Sequence, residues 1–503
     1  MTISHTYPGV YVGDMSTRVR TITGVATSIA AFIGRASRGP VDDPRTVTSF
    51  VDFERVFGGF WAKSNLGYSV GDFFAQGGKR AIVVRVHQPA DGHVARLRLG
   101  TGAGRIVLEA ASPGSWGSRL TATIEGVPGS AKLFHLTLTD RGSGIEESYR
   151  RVSLRPRSPR RLDRVLEQSD LVRVHGALPT ALPESLPLTA AGIGGNDGGR
   201  LAARNFTRGT NMRRRQKGLY ALDRVDLVNL IVIPPYSAGG VASGVIADTV
   251  VYAEERGAML IMDPPPPWRS IDDAVAGAST PSFPTSPNAA VYFPRIRRPD
   301  PLRGDQVRDF APAGAVAGVI ARTDENHGVW SPPAGPGATL TGVTGLTLSL
   351  DDRDQGRLNP IGVNCLRTFP PANHVVWGAR TRAGADGSGS EWKYLMVRRT
   401  ALFLEQSIEL GTKWALFEPN EETTWSRIRL EVGNFLHDLY RKGAFVGITP
   451  RDGYFVKCDS STTTRNDIKH GMLNIVVGFA PVRPAEFVLI RIGQKSGEGG
   501  QDE

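Results

Sequence analysis

Residues 28–36 read SIAAFIGRA, a compact apolar run suited to a buried strand. SFVDFERVFGG (residues 49–59) follows as a short helix with Gly58 at its C-terminal stop. LGYSVGDFFAQGG (66–78) reads as a second short helix, also stopped by glycine, and RAIVVRVH (80–87) returns as a strand. Strand, helix, helix, strand predicts a sheet with helices packed on it. At 503 residues the chain is too long for one core, so the fold class is mixed α/β (α+β) and multidomain.

The same texture resumes after GIGGNDGG (192–199). LVNLIVIPP (227–235) is a buried strand, GVIADTVVYAEERG (244–257) a helix, and AMLIMDPPPPW (258–268) a strand ended by prolines. AAVYFPRI (289–296) adds a strand, and APAGAVAGVIARTDENHG (311–328) is a small-residue helix able to pack closely. Between these two α/β stretches, from about 91 to 190, short alternating segments such as RLTATIEG and KLFHLTLTD predict a β-rich insertion. Residues 1–25 carry Pro8, Gly9 and Gly13 without helical period and read as an extended arm.

The clearest helix lies in TTWSRIRLEVGNFLHDLYRKGAF (423–445). Trp425, Ile428, Val432, Phe435, Leu436 and Leu439 make one apolar stripe, with Arg427, Glu431, Asn434, Asp438 and Arg441 on the other side and Gly443 as the stop. Three strands are expected after it, in GAFVGITP, LNIVVGFAP and the last, PVRPAEFVLIRIGQ (481–494). That final run is β-branched between prolines and a Gly-rich tail, on a leash long enough to pair outside its own domain.

Hydrophobic content of 40% and charged content of 22% are those of a folded soluble chain, and Gly 59 with Pro 34 indicates many turns. Cys365 and Cys458 have no partner at metal-ligand spacing and read as buried free thiols. The start lacks a secretory h-region and no run is long enough to span a membrane, so folding in a reducing cytoplasm and no membrane insertion are expected. The net charge of +11 invites a nucleic-acid reading. Its local runs, Arg155–Arg161 and Met212–Lys217, lack interleaved aromatics and read as a solvated face or a contact to an acidic protein, with no specific nucleic acid.

No catalytic constellation emerges. GIGGNDGG lacks a P-loop ending and dinucleotide spacing, and reads as an inter-domain turn. Asp351–Asp354 lacks the Gly turn and final Glu of a cation loop and reads as a solvated turn. His374 and His437 are isolated, and Ser115 is not in a nucleophile elbow. Asp263, at a strand's C-terminal end, is the one position on which an α/β enzyme with a ligand site would rest. Catalytic, cofactor and metal residues are otherwise expected to be none.

Many long stretches in order carry a resemblance. YPGVYV, GVATSIAAFIGRASRGPVDDPRTVTSFVDFERVFGG, SPGSWG, GGNDG, APAGAVAGVIARTDENHGVWSPPAG, LNPIGVNCLRTFPPANHVVWGARTR, EWKYLMVRRTALFLEQSIELGTKWALFEPN and APVRPAEFVLIRI are similar to the sheath subunits of contractile phage tails and of phage-tail-like contractile injection systems. The resemblance implies a conserved sheath core assembled from N- and C-terminal parts with outward insertions. Its domains here would be an arm at 1–25, an α/β sheath domain at 26–90 plus 200–350, the β-rich insertion at 91–199, a conserved core domain at 351–484, and a donated strand with tail at 485–503.

The resemblance also implies the partners: copies of the chain in hexameric rings stacked into a helical sheath, an inner tube protein, and baseplate and terminal cap proteins. It implies no cofactor, assembly in the bacterial cytoplasm, and a place in a phage tail or phage-tail-like particle. Terminal arms would add strands to a neighbour's sheet. Tyr7, Val10 and Tyr11 would then lie in the N-terminal arm, and Phe487, Val488, Leu489, Ile490 and Ile492 in the donated strand. Arg427, Arg441 and Lys442 are the expected inner-tube contact.

Overall fold

The computed structural model describes residues 21–89, 94–182, 186–370, 373–484 and 486. The arm residues Tyr7, Val10, Tyr11, Phe487, Val488, Leu489, Ile490 and Ile492 lie outside them. Contacts divide the described residues into two compact units, 26–402 with 483–484 and 486, and 21–25 with 403–482.

The larger unit is built on an eight-stranded sheet. From one edge its order is Asn373–Val376, Asn364–Phe369, Ala289–Phe293, Met259–Met262, Leu230–Val232, Ala30–Gly34, Ala81–Arg85 and Arg45–Val47. The inner six strands are parallel and the two outermost antiparallel to their neighbours. Parallel strands need cover on both faces, and the side-chain period of two supplies it. Phe32, Val83, Val232, Ile261 and Tyr292 point into one core, while Ala31, Ile82, Ile231, Leu260 and Val291 point into the other. Helices Phe50–Phe57, Leu66–Ala75 and Ala313–His327 cover the first face; Ser243–Glu255 and Ile271–Ala278 cover the second.

Small residues let two helices of the first layer approach closely. A Cβ at Gly314 would stand 2.3 Å from the Ser69 carbonyl oxygen, and one at Gly318 would stand 2.4 Å from that of Phe73. The alanine- and glycine-rich run from 313 is therefore a packing device for this helix pair.

Between the strands Ala81–Arg85 and Leu230–Val232 the chain makes a separate β structure. Strands Leu188–Ala191, Leu120–Val127, Ser130–Asp140 and Ile145–Ser153 form one sheet, and Arg96–Leu99, Ile106–Ala110 and Val172–Val174 another. They enclose a third core around Leu108, Trp116, Leu136, Leu138 and Val152. GIGGNDGG closes this segment as a turn. Asp197 accepts from Ser115 N–H at 2.8 Å and pairs with Lys63 at 2.9 Å, and Gly198 sits at φ +78, where a Cβ would meet the Gln88 carbonyl. Asp351 and Asp354 cap the helix Asp352–Leu358 reciprocally, which is a more definite role than the solvated turn expected of them.

In the smaller unit the helix Glu422–Arg441 buries Trp425, Ile428, Val432, Phe435, Leu436 and Leu439, the stripe read from sequence, and Gly443 follows at φ +80. Glu431 departs from expectation. It is buried rather than on the polar side, because the Trp414 indole donates to it at 2.8 Å and Arg427 at 3.2 Å. Residues 21–25 belong here too: Val25 N–H donates to Ser407 Oγ at 3.1 Å, and Gly24 lies under the Phe403 ring.

LNIVVGFAP forms the strand Val476–Phe479, but its partner is Tyr454–Lys457 and not GAFVGITP. The latter makes only an isolated bridge between Phe445 and Pro481, since Gly443 and Gly447 both take positive φ and Thr449 caps a helical turn. Cys365 and Cys458 are buried free thiols.

Candidate interface sites

Among the described residues the sheet Tyr454–Lys457/Val476–Phe479 has two strands, a size that is marginal unless something packs on it or extends it. One face is held by aromatic contacts. Tyr454 lies 6.3 Å from Tyr440 and 6.0 Å from Phe445, and Phe445 lies 5.7 Å from Phe479. His437 joins this face through a 3.2 Å contact to the Tyr454 hydroxyl, a structural role. Among the described residues no other segment hydrogen-bonds to the main chain of either strand, although just after the second one the Val446 N–H donates to the Ala480 carbonyl at 2.9 Å. Nearby apolar side chains are exposed: Phe455 by 50%, Val446 by 54% and Ile448 by 97%. Open edges with exposed apolar flanks are templates for a further strand.

A second site, in the larger unit, is the anchorage of Glu486. Its carboxylate accepts from Arg380 Nε at 2.8 Å and Nη2 at 2.6 Å, a fork-to-fork pair, and from the Tyr394 hydroxyl at 3.1 Å. Burial would raise the Glu486 carboxyl, but the bonds and charge of Arg380, with Lys393, outweigh it and hold it below the usual range. Sequence reading missed this pair, because 106 positions separate its members and neither lies in a periodic segment.

Asp263 caps a helix and borders a small cavity. Its Oδ1 accepts from Ala313 N–H at 2.7 Å, capping the helix Ala313–His327. The adjoining cavity, about 30 Å³ lined by residues such as Ile233, Val241, Ile246 and Pro264, has room for a water or two. The described lining holds no histidine and no second carboxylate. Burial pushes the Asp263 carboxyl up to about 6. An unfolded aspartate ionises near pH 4, so the folded chain holds this proton more tightly and stability falls as pH rises from about 4 to 6. D263N keeps the acceptor without the charge. Its urea midpoint is expected to correspond to about 1–3 kcal/mol more stability than wild type above pH 7, with the gap closing below about pH 4.

Among the described residues no group of histidine, cysteine and acidic side chains is arranged to hold a metal, and no helix is long and apolar enough to cross a membrane.

Two family profiles match the chain consecutively. The phage tail sheath protein central domain covers residues 241–382, and the phage tail sheath C-terminal domain covers residues 388–495. The chain belongs to the phage tail sheath family. The tail sheath protein of Vibrio phage KVP40 is 26% identical over 179 residues, 35% of this chain but only 25% of that protein's length. The chain thus spans about a quarter of this curated relative. Fold similarity extends further. The helical sheath of the anti-feeding prophage in its contracted state aligns over 98% of this chain and 100% of that one, at a TM-score of 0.61 and 20% identity. The sheath complex of the extracellular contractile injection system PVC, also contracted, covers 98% and 99% at a TM-score of 0.58 and 21% identity.

Tail sheath proteins are structural rather than enzymatic, in keeping with the helix-capping role of Asp263. In this sheath-family chain the three basic residues expected at an inner tube are not equivalent. Arg427 is engaged within its own unit, over the Trp414 ring at 3.9 Å and bonded to Glu431. Arg441 and Lys442 are exposed at the helix end, and no ion pair involves either among the described residues. Leu416 and Phe417, from the family-like stretch ALFEPN, are exposed by 66% and 105%, and Phe417 takes φ +74. A bulky residue held in that conformation in full solvent is a surface feature that sequence reading passed over.

Proposed function

We propose that the chain is the repeating subunit of a contractile sheath around an inner tube, in a phage tail or an extracellular contractile injection particle. The observation that carries this reading furthest is the two-stranded sheet, 454–457 with 476–479, in a chain whose fold matches sheath subunits over nearly its whole length. Strand addition by neighbouring copies gives main-chain bonds to both edges. The N-terminal arm with Tyr7, Val10 and Tyr11 takes one edge, and the C-terminal strand with Phe487, Val488, Leu489, Ile490 and Ile492 the other.

Such contacts are head-to-tail and propagate into rings and helices instead of closing a dimer. The subunits move largely as rigid bodies with the arms as hinges, from a metastable extended lattice to a shorter, wider one. A difference of a few kcal/mol per copy, summed along the lattice, drives the tube. Baseplate and cap proteins terminate the assembly, and assembly takes place in the bacterial cytoplasm.

Of the three basic candidates, Arg441 and Lys442 are free to meet an acidic tube surface, while Arg427 supports the helix that presents them. Co-expression with an inner tube protein, viewed by negative-stain electron microscopy, tests the reading. Wild type forms striated tubes on the inner tube. R441E/K442E keeps a folded subunit but loses most co-assembly, and raising the salt concentration weakens co-assembly of wild type. Dispersed monomers from wild type under every condition would reject the reading.

A further inference from the structure

Arg380 is 1% exposed and spends every polar atom of its side chain. Nε and Nη2 go to Glu486, while Nη1 donates to the Asn359 carbonyl at 2.8 Å and to Asp386 at 2.9 Å. Its main chain is equally tied. Arg380 N–H donates to Asn364 Oδ1 at 2.7 Å, and Asn364 Nδ2 donates back to the Arg380 carbonyl at 2.8 Å and on to the Val291 carbonyl at 3.2 Å. Asn364 is fully buried and opens one parallel strand of the large sheet, and Val291 lies in the next. A continuous run of bonds, part-buried at Glu486 and buried from the Arg380 main chain inward, therefore leads from the start of the expected donated strand to the third strand of the large sheet. A buried guanidinium is costly to desolvate and is retained where its geometry is needed.

We propose that Arg380 is a carboxylate socket that anchors the root of the C-terminal arm to its own subunit through Glu486, so that tension on the donated strand is delivered through Asn364 to the central sheet. The second half rests on the strand-donation reading above. Rigid-body motion of subunits on hinged arms requires that the strand be fixed at its own end as firmly as in the neighbour's sheet. A fork-to-fork ion pair supplies that without lengthening the arm. Lysine cannot replace Arg380, having one point charge where five acceptor atoms in different directions are met, the Gly384 carbonyl at 3.3 Å among them.

Two variants of the full chain, E486Q and R380K, test it in two steps. In the unassembled subunit, amide hydrogen exchange is followed in peptides covering 378–386 and 483–486. E486Q is expected to speed exchange there about tenfold to a hundredfold, with exchange in the large sheet and the thermal midpoint unchanged. In assembled material, E486Q still forms tubes, since strand pairing uses main-chain bonds, but the tubes contract or fall apart at a lower guanidinium concentration than wild type. Unchanged exchange in E486Q would overturn the socket. Faster exchange with tubes as resistant as wild type would overturn the transfer of tension. Wild type that forms no tubes would instead count against strand donation, with the exchange result still deciding the socket. R380K should match E486Q in both readouts if it folds; E486Q carries the test if it does not.

Discussion

Removing residues 487–503 is expected to leave a folded, monomeric subunit that forms no tubes at all. The described residues supply the three cores that hold the larger unit and the buried stripe of the helix Glu422–Arg441. Glu486 and its pairing with Arg380 also remain. What is lost is the strand that would complete a neighbour's two-stranded sheet, so the effect on assembly is all-or-none while the effect on stability is small. Circular dichroism and gel filtration should match wild type, and electron microscopy should show no striated tubes. Tubes of wild-type appearance from this truncation would place the lattice contacts elsewhere.

The largest expected effect on stability comes from Arg399. It pairs with Asp324 through two bonds of 2.7 and 2.5 Å, both side chains being 3% exposed, and Nη2 also reaches the Thr27 carbonyl at 2.8 Å. This pair joins the helix that starts at Leu395 to the helix Ala313–His327, inside the larger unit. R399M leaves the Asp324 carboxylate buried without its partner, which costs about 3–5 kcal/mol. A domain's whole stability is about 5–15 kcal/mol, so the larger unit should unfold at a far lower urea concentration. Adding D324L removes the stranded charge and should restore most of the loss. A single variant as stable as wild type would mean that water reaches the pair in solution.

The α/β layer was legible because burial on both faces leaves a continuous apolar run, as in Ala30–Gly34 and Ala289–Phe293. The helix Glu422–Arg441 was legible because one side of it is wet. The strand Tyr454–Lys457 escaped notice, being four residues with alternate side chains exposed and a catalogue of turns on either side. The division between the two units falls at 402/403, inside the uninterrupted helix Leu395–Thr412, where composition carries no mark of it. Arg380 and Glu486 show why sites are harder than folds. Each sits in a Gly- or Pro-rich stretch, and their meaning arises only from being brought together. Glu431 failed for a similar reason: its polar position on the helix is overruled by an indole from another segment.

The account turns on one claim, that the C-terminal strand pairs with the two-stranded sheet of another copy. Disulfide trapping between two populations of the chain measures it most directly. One population carries Val488→Cys and the other a cysteine at one of positions 476–479 in turn, the native Cys365 and Cys458 being buried. The account predicts cross-linked dimers from mixed tubes at one or two of these positions. It predicts no cross-link within a dilute chain that carries both cysteines. Efficient closure within the single dilute chain, and none between populations, would show that the strand completes its own subunit and would contradict the account.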